Sequence, residues 1–182
     1  MLLRTHFAVL IALTLPVSAF AADAHLKLPS FDKLQSQAVQ SVDVSIGAMP
    51  LKFASMFIDK DPDSEGIKDI LAGVKEISIR SYTFDRDNAY AKEDVESVRS
   101  QLSSTIWSPL ATIRDNRKNE NIDVSVAFER DKVVGVAIVA NSPREFTIVN
   151  IVGELAPEHI ASLAKQLHIT DSELGRRSIN AL

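Results

Sequence analysis

Between residues 41 and 47 the run SVDVSIG sets Val42, Val44 and Ile46 on one face of an extended chain and Ser41, Asp43 and Ser45 on the other. That is the period-two pattern of a half-buried strand. The period then changes. Pro50 marks a helix start in MPLKFASMFID, where Met49, Phe53, Met56 and Phe57 share a face that Leu51, Ala54 and Ile58 widen, which predicts a well-buried helix. A second helix is expected from about Ser64 to Ala72, with Ile67, Ile70, Leu71 and Val74 at helical spacing and Gly73 as its stop. EISIRSYTF, starting at Glu76, reads as a strand. In EDVESVRSQLSSTIW, Val95, Val98, Leu102 and Ile106 form one stripe, so a third helix is expected to run into Trp107 and stop near Pro109, with a polar loop after it.

The last third of the chain is strand-like. IDVSVAFER alternates, with Ile122, Val124, Val126 and Phe128 expected inward, while VVGVAIVAN and EFTIVNIVGEL are apolar on both faces. The short links RDK and NSPR suggest a three-strand antiparallel meander. Pro157 then opens a helix with Ile160, Leu163, Ala164 and Leu167 on its apolar side. The predicted class is α+β: a mostly antiparallel sheet with helices packed mainly on one face, in the order β-α-α-β-α-β-β-β-α.

The first residues change the picture of compartment. In MLLRTHFAVLIALTLPVSAFAADAH, Arg4 supplies a positive start, Phe7 to Leu15 an apolar run, and Ala19-Phe20-Ala21 a small-x-small cleavage site. That apolar run is shorter than the ~20 residues of a membrane span and ends at Pro16, so a removable signal peptide is expected, with no transmembrane span in the mature chain. The expected organisation is residues 1–21 signal peptide, 22–38 an N-terminal lead, 39–170 a single α+β domain and 171–182 a C-terminal tail. The mature chain would be periplasmic or secreted after cleavage near Ala21. Without Arg4 the formal net charge of −4 becomes one unit more negative, a balance that argues against nucleic-acid binding. The chain has no cysteine, so thiolate chemistry is excluded and the apolar core must stabilise the domain without disulfides.

Candidate chemistry is sparse. Asp59, Asp61 and Asp63 match the first three ligand positions of a calcium loop, but Ser64 replaces the turn glycine and Ile70 the final bidentate glutamate, so a polar link that caps the next helix is preferred. Asp23-Ala24-His25 could wrap copper or nickel if it formed a free amino terminus, yet the favoured cut after Ala21 places His25 fourth. His159 and His168 lie apart on the last predicted helix. Glu93 with Glu96, and Asp85 with Asp87, read as solvated carboxylates. Arg114 to Lys118 is a broken basic cluster, and Arg80 and Trp107 read as packing or surface residues with some chance of belonging to an interaction face. No HExxH, GxSxG, Walker loop or dinucleotide fingerprint occurs. No catalytic, cofactor-binding or metal-binding residue is therefore assigned, and the chain is read as no enzyme.

Asn150 is the odd residue. In the middle of EFTIVNIVGEL its side chain must be hydrogen-bonded inside or face water, because an unpaired buried amide costs about 1–3 kcal/mol. Placing Val149 and Ile151 under the helices, with Gly153 allowing the last helix to approach, leaves Phe146, Ile148, Asn150 and Val152 on the other side as an expected open interaction face. A homodimer through that open sheet face is one expected cover. The lead around Leu26, Leu28 and Phe31 folding across it is another, and so is an inward Asn150 bonding a backbone group as a structural fitting.

VNIVGEL followed by APEHIASLAKQLHI, with GVAIVAN, IDVSVAFER, Trp107 and GAMPLKFA before it, resembles the exported bacterial family catalogued as domain of unknown function 4252. The run Val149 to Glu154 carries most of that likeness, while Met49-Pro50 departs from the glycine-rich aliphatic segment expected there. The resemblance implies no assigned activity, no cofactor and no catalytic residues, and it suggests envelope signalling by analogy. The expected function is an exported, non-catalytic binding module of the bacterial cell envelope whose partner is an envelope protein or another copy. The alternatives are a carrier of a small apolar ligand held between sheet and helices, suggested by the Met- and Phe-rich first helix, or an envelope-signalling accessory protein.

Overall fold

The computed structural model describes residues 23–56 and 71–156. Its frame is a six-stranded sheet of β1 (Gln40–Gly47), β2 (Val74–Thr83), β3 (Trp107–Asp115), β4 (Glu120–Glu129), β5 (Lys132–Ser142) and β6 (Glu145–Leu155). Every pairing is antiparallel, in the order β1-β2-β6-β5-β4-β3. The described helices are α1 (Asp32–Gln37), α2 (Ala48–Ser55) and α3 (Lys92–Arg99), the last passing into a 3-10 turn at Ser100–Ser103. Residues 71–73 are also helical. The class is thus α+β.

Short links set the sheet. β4 turns into β5 through Arg130-Asp131, with Arg130 in a left-handed conformation (φ 56°), and β5 turns into β6 through Pro143-Arg144. Such tight connections fix register, and register decides which side chains meet on each face. On one face Val124, Val126, Val136, Ile138, Val149 and Ile151 form a cluster that receives Leu51 of α2. On the other, Val139, Phe146 and Ile148 pack with Leu34 of α1 and Val95 and Val98 of α3. Aromatic rings brace this second face: Phe31 meets Tyr82 and Phe146 edge-on at 5.9 and 5.8 Å, and Tyr90 stacks on Phe146 at 5.6 Å. The described helices therefore occupy both faces of the sheet. Most of the second predicted helix and the whole closing helix lie outside the described residues.

Several expectations are corrected. The third helix ends at Arg99, and Trp107 opens β3, so the meander has four strands (β3 to β6) where three were expected. Ser103-Ser104-Thr105 favours leaving the helix, and Pro109, an apparent stop signal, sits in an edge strand, where a missing N–H costs no interior ladder bond. A register shift between Ala127 and Phe128 turns Phe128 outward to 41% exposure, against the inward placement that strict alternation predicts. The α2 face predicted to be buried points out, with Met49 and Met56 each 77% exposed, while Leu51 alone of that helix is buried. Phe57 lies outside the described residues. The short α1 was not anticipated inside the 22–38 lead. Its buried Leu34 anchors it.

Candidate functional site

Residues 23–31 run without helix or strand across the α1/α3 face of the sheet, and three side chains of the domain bond their main chain. Asn150 Oδ1 accepts the Leu26 N–H at 3.0 Å, and Asn150 Nδ2 donates to the Ala24 carbonyl at 3.1 Å and to the Val136 carbonyl at 3.4 Å. Gln101 bonds both main-chain groups of Lys27: its Oε1 accepts the Lys27 N–H at 2.8 Å and its Nε2 donates to the Lys27 carbonyl at 3.0 Å. Arg80 Nη1 donates to the Pro29 carbonyl at 2.9 Å, while its buried Nε lies 3.4 Å from Asp43 Oδ2 without hydrogen-bond geometry. A carboxamide offers one donor and one acceptor side, so it can bridge the N–H and C=O of two successive peptide units whatever side chains they carry.

Side chains of the lead alternate in and out. Ala24 is buried among Trp107, Ala127, Ala137 and Val152, and Leu26, Leu28 and Phe31 pack inward, while His25 and Lys27 are exposed. Gly135 forms the floor under Ala24, where an added Cβ would come within 2.6 Å of the Ala24 methyl. The result is a groove between the sheet and the α3/3-10 segment, holding an extended chain by main-chain bonds and alternate apolar contacts.

The face expected to be open is consequently covered. Phe146 and Ile148 are fully buried, Asn150 is 3% exposed and Val152 7%. The physical reason is that the lead's own apolar side chains fill this side of the sheet. These four positions do share a face, and Asn150 bonds inward to backbone groups, supplied by a segment more than a hundred residues away in sequence. Trp107 and Arg80 join the same groove. Gly153 makes close contact with the backbone of residues 73–75, where an added Cβ would lie 2.3 Å from the Gly73 carbonyl oxygen. It serves the β2–β6 pairing; the last helix expected to approach it lies outside the described residues.

Beside the groove a polar cleft of about 490 Å3 is lined by Tyr90, Lys92, Glu96, Arg99, Asn121 and Asn141, among others. Burial pushes the Tyr90 phenol above its ordinary pKa, so it remains a donor and bonds the Ser142 carbonyl. Arg99 reaches from α3 to Asp123 Oδ2 at 2.7 Å and to Asn141 Oδ1 at 2.9 Å, and Arg114 bonds the other oxygen of Asp123. Asp123 thus joins helix, sheet and edge strand. Asp123→Ala is expected to cost about 2 kcal/mol, the scale of lost hydrogen bonds to charged groups, and a double-mutant cycle with Arg99→Ala should show coupling above about 0.5 kcal/mol. Additive losses in urea denaturation would refute that coupling.

The other candidates do not converge. The Asp59–Asp63 loop and both His159 and His168 lie outside the described residues, as does the leader with its cleavage site. His25 contacts Asp23 Oδ1 at 2.7 Å and Glu76 Oε2 at 3.5 Å at the groove mouth, and its N–H is also taken by Asp23. Among the described residues no three His, Asp or Glu side chains are arranged to hold a metal ion. Glu96 reaches Arg99 at 3.6 Å, whereas Asp87 pairs with Arg144. The basic run is a turn: the Arg117 and Lys118 amides bond Asp115, holding its carboxyl below the usual range. Among the described residues no helix is long and apolar enough to cross a membrane.

The chain matches no curated protein and no solved structure. Residues 35–163, more than two-thirds of its length, match the family described as Domain of unknown function (DUF4252). The groove side chains Arg80, Gln101 and Asn150 fall inside the matched span and residues 23–31 outside it. The chain belongs to that family.

Proposed function

We propose that this chain is an exported, non-catalytic binding module of the bacterial cell envelope, working in the periplasm or outside the cell after leader removal near Ala21, and that its ligand is an extended polypeptide segment of another envelope protein. One observation carries the reading: Asn150, Gln101 and Arg80 each hydrogen-bond the main chain of a segment lying in a groove. That chemistry holds a peptide. An envelope-signalling accessory role is one use of such a groove.

A carrier of a small apolar ligand is less well supported. A cavity of about 730 Å3 has Asp23, His25, Lys75, Arg130, Asp131 and Glu154 in its walls, charges that an apolar guest would have to sit beside. A homodimer through the Phe146–Val152 face would first require the lead to leave it. The reading is tested by placing a photo-crosslinking residue at Ser97, on the exposed rim beside Gln101, in growing cells. A discrete adduct with one envelope protein is expected; crosslinks confined to the chain itself would refute a partner at the groove.

A further inference from the structure

Resting on the groove reading, we infer that residues 23–28 are a displaceable internal occupant, and that the groove's ligand in trans is an extended segment with a small residue followed by leucine two and four positions on. The bonds from Asn150 and Gln101 go to peptide groups alone, so any extended chain can make them. Side-chain pockets supply selectivity. Ala24 sits over Gly135 among Trp107, Ala127 and Ala137, so close that a Cβ added at Gly135 would lie 2.6 Å from its methyl, a floor suited to a small residue. Leu26 and Leu28 fill the next inward positions, and the intervening His25 and Lys27 face water, so the residues between the leucines are unconstrained.

The occupant is built to leave. It forms no strand ladder with the sheet, and the residues that follow it, Phe31 and Leu34, are fixed in the aromatic cluster. At its other end Asp23 opens onto the charged 730 Å3 cleft, which gives a longer ligand space to continue past the small-residue pocket. The span matched to the family contains the groove's bonding side chains and omits residues 23–28. The tether raises the lead's local concentration to the millimolar range, so a free peptide must outcompete it or await a weakened lead. The ligand is a second polypeptide carrying the small-x-leucine-x-leucine pattern.

The test is fluorescence anisotropy with a synthetic peptide of residues 22–30, ADAHLKLPS, labelled on the exposed lysine, titrated with the full chain and with its Leu26→Ser variant. The variant should bind the peptide at least ~10-fold more tightly than wild type, because its own lead competes less well. A peptide with Ala24→Phe should lose that binding, and Gln101→Ala in the protein should weaken it at unchanged Trp107 emission. Equal weak binding of native and Ala24→Phe peptides to a folded Leu26→Ser chain would overturn the inference. Should Leu26→Ser fail to fold, Lys27→Pro, which removes one N–H at the exposed rim, replaces it with the same expectation. A wild-type dimer at high concentration that the peptide dissociates is the same recognition between two copies, and supports it. If the peptide fails while Ser97 still crosslinks to an envelope protein, the binding module stands and the pattern is wrong; if both fail, the groove reading falls too.

Discussion

Gly153→Ala is expected to destabilise the fold by about 3 kcal/mol or more, beyond the usual range for one inserted methyl, because the atoms it would strike are backbone. An added Cβ would lie 2.3 Å from the Gly73 carbonyl oxygen, 2.7 Å from Val74 Cα and 2.9 Å from Lys75 N. None of these can rotate away as a side chain can. The contact falls where β2 begins against β6, at a register shift between Val74 and Glu76, and Gly73 in turn faces the Glu154 carbonyl oxygen at 2.1 Å from its own virtual Cβ. Two glycines thus let two backbones approach within one van der Waals layer. Gly153 adopts φ 156°, which an L side chain also disfavours. Relief requires parting the start of β2 from β6, next to the buried Val74 and Leu155. Gly47→Ala is the control: nothing lies within 4 Å of its virtual Cβ, and a change below about 1 kcal/mol is expected at that helix start. Urea denaturation of both variants decides the matter. A Gly153→Ala loss no larger than that of Gly47→Ala would show that the β2–β6 approach relaxes freely.

The sheet was largely legible because its strands obey period two or are apolar on both faces between tight links. EFTIVNIVGEL spans β6 from Glu145 to Leu155, as written. The division into Val149 and Ile151 on one side and Phe146, Ile148 and Asn150 on the other followed from alternation alone. Local pattern misled where a competing local signal was stronger than the tertiary one. Val95, Val98, Leu102 and Ile106 keep helical spacing across a helix end because all four pack on the same groove wall, first from α3 and then from the turn before β3. In α2, Met49 and Met56 read as core by hydrophobicity, but a helix of eight residues docked through Leu51 leaves its far side in water. Burial of the groove could not be read from β6 at all. Its cover comes from residues 24–31, whose sequence AHLKLPSF has the alternation of an extended chain but too short a run to mark itself as structural. The amides that hold it, Asn150 and Gln101, signal only that each needs a partner. Which partner depends on a contact across 74 positions for Gln101 and 124 for Asn150.

Asn150→Asp is expected to cost about 2–3 kcal/mol at neutral pH and to recover much of that loss in acid, a behaviour Asn150→Ala should not share. The amide is an acceptor toward Leu26 N–H and a donor toward the carbonyls of Ala24 and Val136. A carboxylate at the same place keeps the first bond and turns a second oxygen toward those two carbonyl oxygens, in a position only 3% exposed. Burial and the facing carbonyls both oppose the charged form, so the folded-state pKa of the new aspartate must stand above its unfolded value of about 3.9. The folded chain then binds the proton more tightly than the unfolded one. The relative stability is therefore highest below pH ~4, where the protonated carboxyl can donate to Ala24, and is lost as pH rises through the folded-state pKa. Asn150→Ala leaves both lead groups without their partner at every pH, and its cost of about 2 kcal/mol is limited by the free energy at which the lead undocks as a unit. Urea denaturation at pH 4 and pH 7, taken as the difference from wild type, removes the titration common to both chains. Amide exchange at Leu26 reports the lead directly: it should be fast in Asn150→Ala at both pH values, and slowed at pH 4 relative to pH 7 in Asn150→Asp after correction for intrinsic rates. Equal deficits of the aspartate variant at both pH values, with Leu26 still protected, would show that Asn150 does not hold the lead in its groove.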